Sequence, residues 1–335
     1  MTKVSVALCT YNGCPYLTEQ LESILSQTRP PDEIIICDDR STDGTTEILK
    51  RYQSKYPDII NYQKNRQTLG PSKNFDKALR LTTGDVVVLS DQDDVWLKEK
   101  ISVQLNSIIP NGIVFHDGNI VDQNLEPLDG ITDWSLSSYD CDQYGSRNEL
   151  VSGLLKRNFI KGATLMIGDE MLDRCLPIPE TWSHDAYIGI IAALTGEVTP
   201  IESKLYNYRL HERQTSKRRP NSVIDEIRRG IIDLIKHEFE SNVEKWDCLI
   251  KIFEALRASD SLSPDLHVSC ANTDIQQRLQ YEQNLSDINN GFSMEALGSI
   301  VGNLNKGYYS RYGVSRTSLH IFRDILWSLR EGSSE

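Results

Sequence analysis

Three carboxylates stand nearly side by side in Ser90-Asp91-Gln92-Asp93-Asp94-Val95-Trp96. Carboxylates that close repel one another and raise each other's pKa unless a cation joins them. A hard, oxygen-seeking divalent ion such as Mg²⁺ or Mn²⁺ would do so, and would keep coordination positions for phosphate oxygens. The alternative is a solvated loop in which Asp94 caps a helix beginning near Val95. The residues before the acids weigh against it. Gly84-Asp85-Val86-Val87-Val88-Leu89 is apolar and β-branched, the pattern of a fully buried parallel strand. The acids therefore fall at the carboxyl end of a strand, where open α/β sheets bind their ligands.

The elements that must hold that strand in place alternate in type. Val4 to Leu8 reads as a strand, and Leu17, Leu21, Ile24 and Leu25 have helical spacing that ends before Pro30-Pro31. Glu33 to Cys37 is a second strand, and Ser41-Thr42-Asp43-Gly44 turns into a helix over Thr45 to Tyr56. A weaker strand at Ile59 to Tyr62 and a helix from Ser72 to Leu81 complete the run. Such alternation predicts a mostly parallel central sheet flanked by helices. Thr10-Tyr11-Asn12 follows the first strand and Asp38-Asp39 the second. At those places an acid can hydrogen-bond a ribose or base and an aromatic ring can stack on the base, although Tyr11 reads equally as a packing residue. Only Gly13 stands where a dinucleotide fold needs Gly-x-Gly-x-x-Gly, and no Gly-x-x-x-x-Gly-Lys-Ser/Thr loop occurs. Phosphates therefore fall to an ion at Asp93.

Composition narrows the partners. A chain of 335 residues has room for one large α/β domain and an appendage. Its net charge of −12 argues against a nucleic-acid partner, which calls for a basic surface. The seven cysteines include no Cys-x-x-Cys pair and make an odd total, which fits reduced thiols rather than a disulfide framework or zinc site. Met1-Thr2-Lys3 leads directly into the first strand with no signal-peptide pattern, and no apolar run nears the roughly 20 residues of a membrane helix. The expected location is the cytoplasm, with any membrane contact made from the inner face.

Taken together and in order, Val4 to Asn12, Asp38-Asp39-Arg40-Ser41-Thr42-Asp43-Gly44-Thr45, Asn65 to Leu79 and Ser90 to Trp96 resemble family 2 glycosyltransferases. The likeness runs from residue 3 to about residue 215. It implies the GT-A fold and inverting, metal-dependent transfer. Asp-Gln-Asp-Asp-Val-Trp is similar to bacterial rhamnosyltransferase-like members that build surface polysaccharides. By position, the resemblance puts Thr10, Tyr11, Asn12 and Asp39 at the nucleoside, Asp91 with Gln92 at the ribose or a bridging water, and Asp93 on the metal under the diphosphate. Asp38 and Lys73 are further donor-site candidates; Asp38 reads equally as a structural carboxylate, and Lys73 as a solvated helix charge.

The middle of the chain is less regular. Gly112 to His116 reads as a strand, Asn119 to Asp140 as a polar loop, and Phe159 to Ile167 as a strand with Gly162 near its start. The resemblance places this Gly-Ala-Thr element beside the sugar, where a glycine admits substrate to the backbone, while a tight bend explains Gly162 equally well. Trp182-Ser183-His184-Asp185 precedes an apolar helix over Ala186 to Leu194, so Asp185 fits a helix cap. The resemblance instead implies that Asp185 is the general base that takes the proton of the attacking hydroxyl. Trp182 and His184 would then lie on the acceptor side, His184 reading also as a packing residue. His211, in Tyr206-Asn207-Tyr208-Arg209-Leu210-His211, is implied as a further metal ligand or diphosphate contact, against an exposed loop histidine.

The expected division is a GT-A catalytic domain over 1–219, with a nucleotide-sugar half at 1–117 and an acceptor half at 118–219, and a helical C-terminal region over 220–335. Apolar residues recur at helical spacing from Ile224 to Phe253, Ser259 to Asn272 reads as a loop, and helices follow near 273–288, 294–303 and 316–330. Lys306, Arg311, Arg316, Arg323 and Arg330 stand against Asp324 alone, interleaved with Tyr308, Tyr309, Tyr312, Phe322 and Trp327. That composition suits a helix at a lipid headgroup surface, and equally a solvated rim over a packed aromatic face. The activity implied is transfer of a sugar from a nucleotide-diphosphate sugar, such as dTDP-rhamnose or a UDP-hexose, to a hydroxyl of a growing bacterial surface glycan, free or lipid-linked. A sugar-1-phosphate nucleotidyltransferase and a catalytically silent carbohydrate-binding protein are the competing classes. The first would need a glycine-rich loop bearing Lys or Arg after strand one, which Asn12 to Leu17 is not.

Overall fold

The computed structural model describes residues 2–137, 139–211 and 243–289. The basic segment 306–330 and the expected helices at 294–303 and 316–330 lie outside the described residues. The chain divides into two compact units. The first comprises Met1–Leu154, Asn158–Lys217 and Leu262–Leu266; the second comprises Leu155–Arg157, Arg218–Ser261 and His267–Glu335.

The first unit is built on a nine-stranded sheet. Strands β1 (Val4–Thr10), β2 (Glu33–Asp38), β3 (Ile60–Lys64) and β4 (Val86–Ser90) alternate with helices α1 (Leu17–Leu25), α2 (Thr45–Lys55) and α3 (Pro71–Arg80). They pair in parallel in the order β3-β2-β1-β4. Every residue of β1 and β4 is buried, as expected for central strands covered on both faces. The core is laid down by Val4, Val6, Leu8, Ile34, Ile36, Val86 and Val88 against Leu17, Leu21, Ile24 and Leu49. Pro71 opens α3 at a position whose N–H needs no partner, after Gly70 with φ of 80°.

Beyond β4 the sheet turns mixed, and here the structure departs from the sequence expectations. Val95-Trp96 does not begin a helix but forms a two-residue strand, β5, antiparallel to a later strand. Branched and aromatic side chains suit a pleated surface, and helix α4 starts only at Lys100 (Lys100–Leu105). The strand expected at Gly112–His116 continues to Val121 as β6 (Gly112–Val121), with register shifts on either side of Asp117. The stretch 119–140, read as a polar loop, contains the end of β6, the strand β7 (Pro127–Thr132) and helix α5 (Asp133–Ser137). β7 is mostly exposed or half-exposed along this edge hairpin, so composition alone resembled a loop. The strand expected over 159–167 shrinks to β8 (Met166–Gly168), preceded by a 3-10 turn at Gly162–Thr164. β8 is inserted antiparallel between β4 and β6.

Helices α6 (Arg147–Lys156), α7 (Asp169–Cys175) and α8 (His184–Thr195) follow, and β9 (Glu197–Arg209) closes the sheet. β9 runs parallel to β6 from Glu197 to Arg209, and near its end Asn207 and Tyr206 also pair with Val95 and Trp96 on its other edge. A strand of thirteen residues spans roughly 40 Å, enough to carry the chain back to the acidic loop. In the second unit, α9 (Val243–Ala258) and α10 (Val268–Asn289) pack together. Trp246, Leu249 and Phe253 are buried on one helix and Ala271, Ile275 and Leu279 on the other. The expected loop over 259–272 is thus shorter, because α10 already begins at Val268. No helix among the described residues is long and apolar enough to cross a membrane.

Gly168 ends β8 under the backbone of the 109–110 turn. A Cβ there would lie 2.3 Å from the Pro110 carbonyl oxygen and 2.4 Å from that of Ile109. Backbone cannot swing aside as a flexible side chain can, so Gly168→Ala is expected to lower the unfolding free energy by about 2 kcal/mol. Denaturant titration checks this; an unshifted midpoint would mean that the turn yields freely.

Candidate active site

The carboxyl ends of β1, β2 and β4 open on one edge of the sheet, and the end of β9 returns to the same place. At β4, Asp91 is recessed in the site. Burial, then the neighbouring charges of Asp93 and Asp185, push its carboxyl up to about 7, against the opposing pull of Lys100 and Lys161. Asp185, in the first turn of α8, is therefore close enough to act electrostatically on the acidic loop. Its Oδ1 accepts a hydrogen bond from the Ala186 N–H at 2.7 Å, so it satisfies a first-turn donor of its own helix, whose N-cap position is Ser183.

Asp93 and His211 meet directly, with His211 Nε2 2.9 Å from Asp93 Oδ2. The next contacts come from Arg209, two residues earlier on β9. Its N–H donates to Asp94 Oδ1 at 3.2 Å, its Nε to the Asp93 carbonyl at 2.9 Å, and one Nη to the Gln123 carbonyl at 2.9 Å. The other Nη pairs with Glu19 on α1. Tyr16, just before α1, lies under both groups, its ring 4.8 Å from the guanidinium carbon and 4.3 Å from the His211 ring centroid. Asp94 is almost wholly buried, and burial, reinforced by Asp93 and Asp91, raises its carboxyl well above the ordinary range. Beneath the loop sits Lys100, fully buried, donating to the Ala163 carbonyl and standing 4.1 Å from the Trp96 ring centroid. Burial depresses its ammonium to about 7.

Most of the polar groups at the ends of β1 and β2 are used within the protein. Asp38 is buried; it accepts from Thr10 Oγ1 at 2.9 Å and from the Ser41 N–H at 3.0 Å, and also pairs with the Ser41 hydroxyl. Asp39 accepts from Asn65 Nδ2 at 2.9 Å and from the N–H groups of Leu69 and Gly70 at 2.7 and 2.9 Å, fixing the entrance to α3. Asn12, with φ of 51°, takes a hydrogen bond from the Thr42 N–H on its side-chain oxygen and gives its own N–H to Ser41 Oγ, both at 2.8 Å. Gln92 bonds the main chain of Tyr11, whose ring remains 54% exposed.

On the opposite side, Trp182 is buried and its ring meets Tyr187 edge-on at 6.0 Å. His184 stacks on Phe75 at 4.0 Å, and neither of its ring nitrogens has a hydrogen-bond partner. Burial lowers its pKa, which keeps the ring neutral. Gly162 is explained by this histidine, since a Cβ there would lie 2.5 Å from His184 Nε2. Lys161 pairs with Asp133 and covers the Tyr208 ring at 4.0 Å. Lys73 turns away from the nucleoside side to the Ile178 carbonyl at 3.1 Å and to Glu180 at 3.8 Å.

The structure thus joins Asp91, Asp93, His211 and Asp185 in one electrostatic cluster, and Tyr11 with Gln92 beside it. Thr10, Asp38 and Asp39 serve as buried anchors of the surrounding loops. Sequence reasoning missed Arg209, Glu19, Tyr16, Lys100 and Lys161. Arg209 lay inside the motif that contains His211, but the others carried no local signal, because each acts on residues far away in the chain.

Among the described residues no three His, Cys, Asp or Glu side chains converge as a protein-only metal site requires. Asp93 with His211 nevertheless fits a divalent ion as a partial set, since such ions are commonly held by one or two protein groups together with substrate phosphates. Burial is the first cause of the raised Asp91 pKa, and the charges of Asp93 and Asp185 add to it; a cation there would relieve that second part.

Residues 5–152 match the model of glycosyl transferase family 2. An uncharacterised glycosyltransferase of Nostoc sp. (strain PCC 7120) is 30% identical over 220 residues, which cover 62% of this chain and 65% of that protein. The dTDP-rhamnosyl transferase RfbG of Shigella flexneri is 36% identical over 118 residues, 34% of this chain and 41% of that protein. The chain therefore spans less than two thirds of the length of either relative. The solved mannosyltransferase PcManGT from Pyrobaculum calidifontis, in complex with GDP-Man and Mn²⁺, superimposes with a TM-score of 0.51 at 18% identity, covering 98% of this chain and 88% of that one.

The raised pKa of Asp91 has a measurable sign in metal-free protein. Asp91 titrates near 7 when folded and near the ordinary carboxylate value of about 3.9 when unfolded. Between those values the folded chain holds the proton and the unfolded chain does not, so stability from this group falls as pH rises. In the presence of a chelator, Asp91→Asn is expected to gain melting temperature relative to the parent steadily from about pH 5 to about pH 7. Parallel melting curves over that range would return Asp91 to an ordinary carboxylate.

Proposed function

We propose that the protein, whose residues 5–152 match the model of glycosyl transferase family 2, transfers a sugar from a nucleotide-diphosphate sugar to a glycan hydroxyl with inversion. The observation that carries this reading is the pairing of Asp93 with His211 next to Asp91, together with the placement of Asp185, at the start of α8, within electrostatic reach of the same carboxylate. Inverting transfer needs a group that steadies the departing diphosphate and, across the anomeric carbon from it, a base for the incoming hydroxyl. In this reading Asp93 and Asp185, which both act electrostatically on Asp91, take those two positions.

In this reading the nucleoside lies against the exposed ring of Tyr11, beside the loops anchored by Asp38 and Asp39. Asp93 and His211 would hold Mg²⁺ or Mn²⁺, and the ion, when bound, neutralises charge on the diphosphate. Asp91 lies next to that pair and faces the sugar side. Asp185 takes the proton of the acceptor hydroxyl as its oxygen bonds to the anomeric carbon and the bond to the diphosphate breaks. His184, neutral and packed on Phe75, fixes the start of α8 and with it the position of Asp185. A dTDP-rhamnose donor and a bacterial surface-glycan acceptor are the finer reading, supported by likeness to the Shigella rhamnosyl transferase. A nucleotidyltransferase is disfavoured because the β1 exit loop, Tyr11 to Tyr16, contains neither Lys nor Arg to meet a triphosphate.

A thermal-shift screen of UDP-, GDP-, dTDP- and CMP-sugars with Mn²⁺ is expected to select a donor, and transfer is then measured with it. Asp185→Asn is expected to lower kcat by at least about 100-fold with donor affinity nearly unchanged. Loss of donor affinity with kcat preserved would move Asp185 to the donor side. EDTA and Asp93→Ala are each expected to abolish transfer, with Mn²⁺ restoring only the chelated parent. Full activity of chelated enzyme would remove the metal from the mechanism.

A further inference from the structure

Gln92 lies in the sequence between Asp91 and Asp93, yet its side chain turns to the main chain of Tyr11. Its Oε1 accepts from the Tyr11 N–H at 2.8 Å, and its Nε2 donates to the Tyr11 carbonyl at 2.9 Å. The ladder between β1 and β4 ends at Leu8 and Ser90. A side-chain amide carries one acceptor and a donor, as a peptide group does, so Gln92 extends that ladder beyond the last strand pair. Gly13 leaves the space: a Cβ on it would fall 2.1 Å from Gln92 Oε1 and 2.5 Å from Cδ. On the other flank, Asn12 turns the chain through a left-handed conformation and is tied to Ser41 and Thr42. The Tyr11 backbone is thereby fixed on both sides while its ring stands in solvent.

We infer that Gln92 is a positioning residue that presents the Tyr11 ring to the nucleoside and links the nucleoside loop to the phosphate-side acids, without itself contacting the donor. The inference rests on the proposed nucleotide-sugar site. It accounts for an amide between two acids, where a direct ligand to the ion or the sugar would leave the Tyr11 main chain unpaired on this side.

Binding of UDP, GDP and dTDP, each with Mn²⁺, is compared with that of Mn²⁺-pyrophosphate as the base-free probe, in the full chain and in Gln92→Met, Tyr11→Ala and the double variant. Gln92→Met keeps the length and loses both hydrogen bonds. It is expected to weaken the tightest nucleotide about tenfold. Pyrophosphate should change by less than about twofold, and in the Tyr11→Ala background the same substitution should cost the nucleotide less than about twofold. Gly13→Ala, whose new methyl displaces the amide, should reproduce the selective loss if Gln92→Met folds poorly. Equal losses for nucleotide and pyrophosphate would reduce Gln92 to general loop support and overturn the inference. Additive losses in the double variant, or a harmless Tyr11→Ala, would overturn it as well while leaving the transferase reading intact. Parent protein that binds no nucleotide better than pyrophosphate would instead overturn the donor site itself.

Discussion

Crowding of negative charge at the end of β4 is the constraint on which the rest of the site depends. Two like charges about 4 Å apart cost roughly 4 kcal/mol at an effective dielectric constant of 20. Asp91, Asp93 and Asp94 follow a fully buried strand, so water alone cannot screen them. The fold answers from two directions. Lys100 is driven under the loop by α4, at the expense of its own charge, since burial holds it near 7. Arg209 and His211 arrive at the end of β9 and engage the Asp93 main chain, the Asp94 carboxylate and the Asp93 carboxylate. Asp91 is left with its pKa raised, first by burial and then by the charges of Asp93 and Asp185, and a bound cation would offset the second of these.

This dependence explains the shape of the second half of the sheet. β9 has to be long, because it must pair with β6 and still reach β5 with its last residues. β5 is only two residues, yet it docks the exit of the acidic loop on that strand. Tyr206 extends the connection inward, its hydroxyl bonded to Asp133 at 2.6 Å, and Asp133 in turn pairs with Lys161 beside Gly162. The strand that docks the acidic loop and the segment beside Gly162 are thus linked through Tyr206, Asp133 and Lys161, so their separation is set by packed structure and not by surface loops.

The ends of β1 and β2 are held differently. The Asp38-Asp39 pair looks like ligand chemistry, but each carboxylate accepts several hydrogen bonds from neighbouring loops. Buried carboxylates that are fully partnered rigidify their surroundings, and here they leave the Tyr11 ring projecting from a fixed main chain.

By itself the sequence determined the β1–α1–β2–α2–β3–α3–β4 order and placed Tyr11, Asp39 and Asp91 to Asp94 at strand ends. Those features are local: hydrophobic period, turn residues and strand length act over a few neighbours, and the motifs lie within them. It could not separate anchors from ligands, because Asp38 and Gln92 are defined by partners on other strands. Tertiary structure alone decided that 119–140 forms a strand and a helix, that Val95-Trp96 is a strand, and that β8 enters antiparallel. It alone decided which cations meet the acids. Arg209 reaches Asp93 across 116 residues and Glu19 across 190, and His211 reaches Asp93 across 118. Interactions of that span carry no period in the sequence; they exist only once the burial of β4, β6 and β9 has closed the sheet.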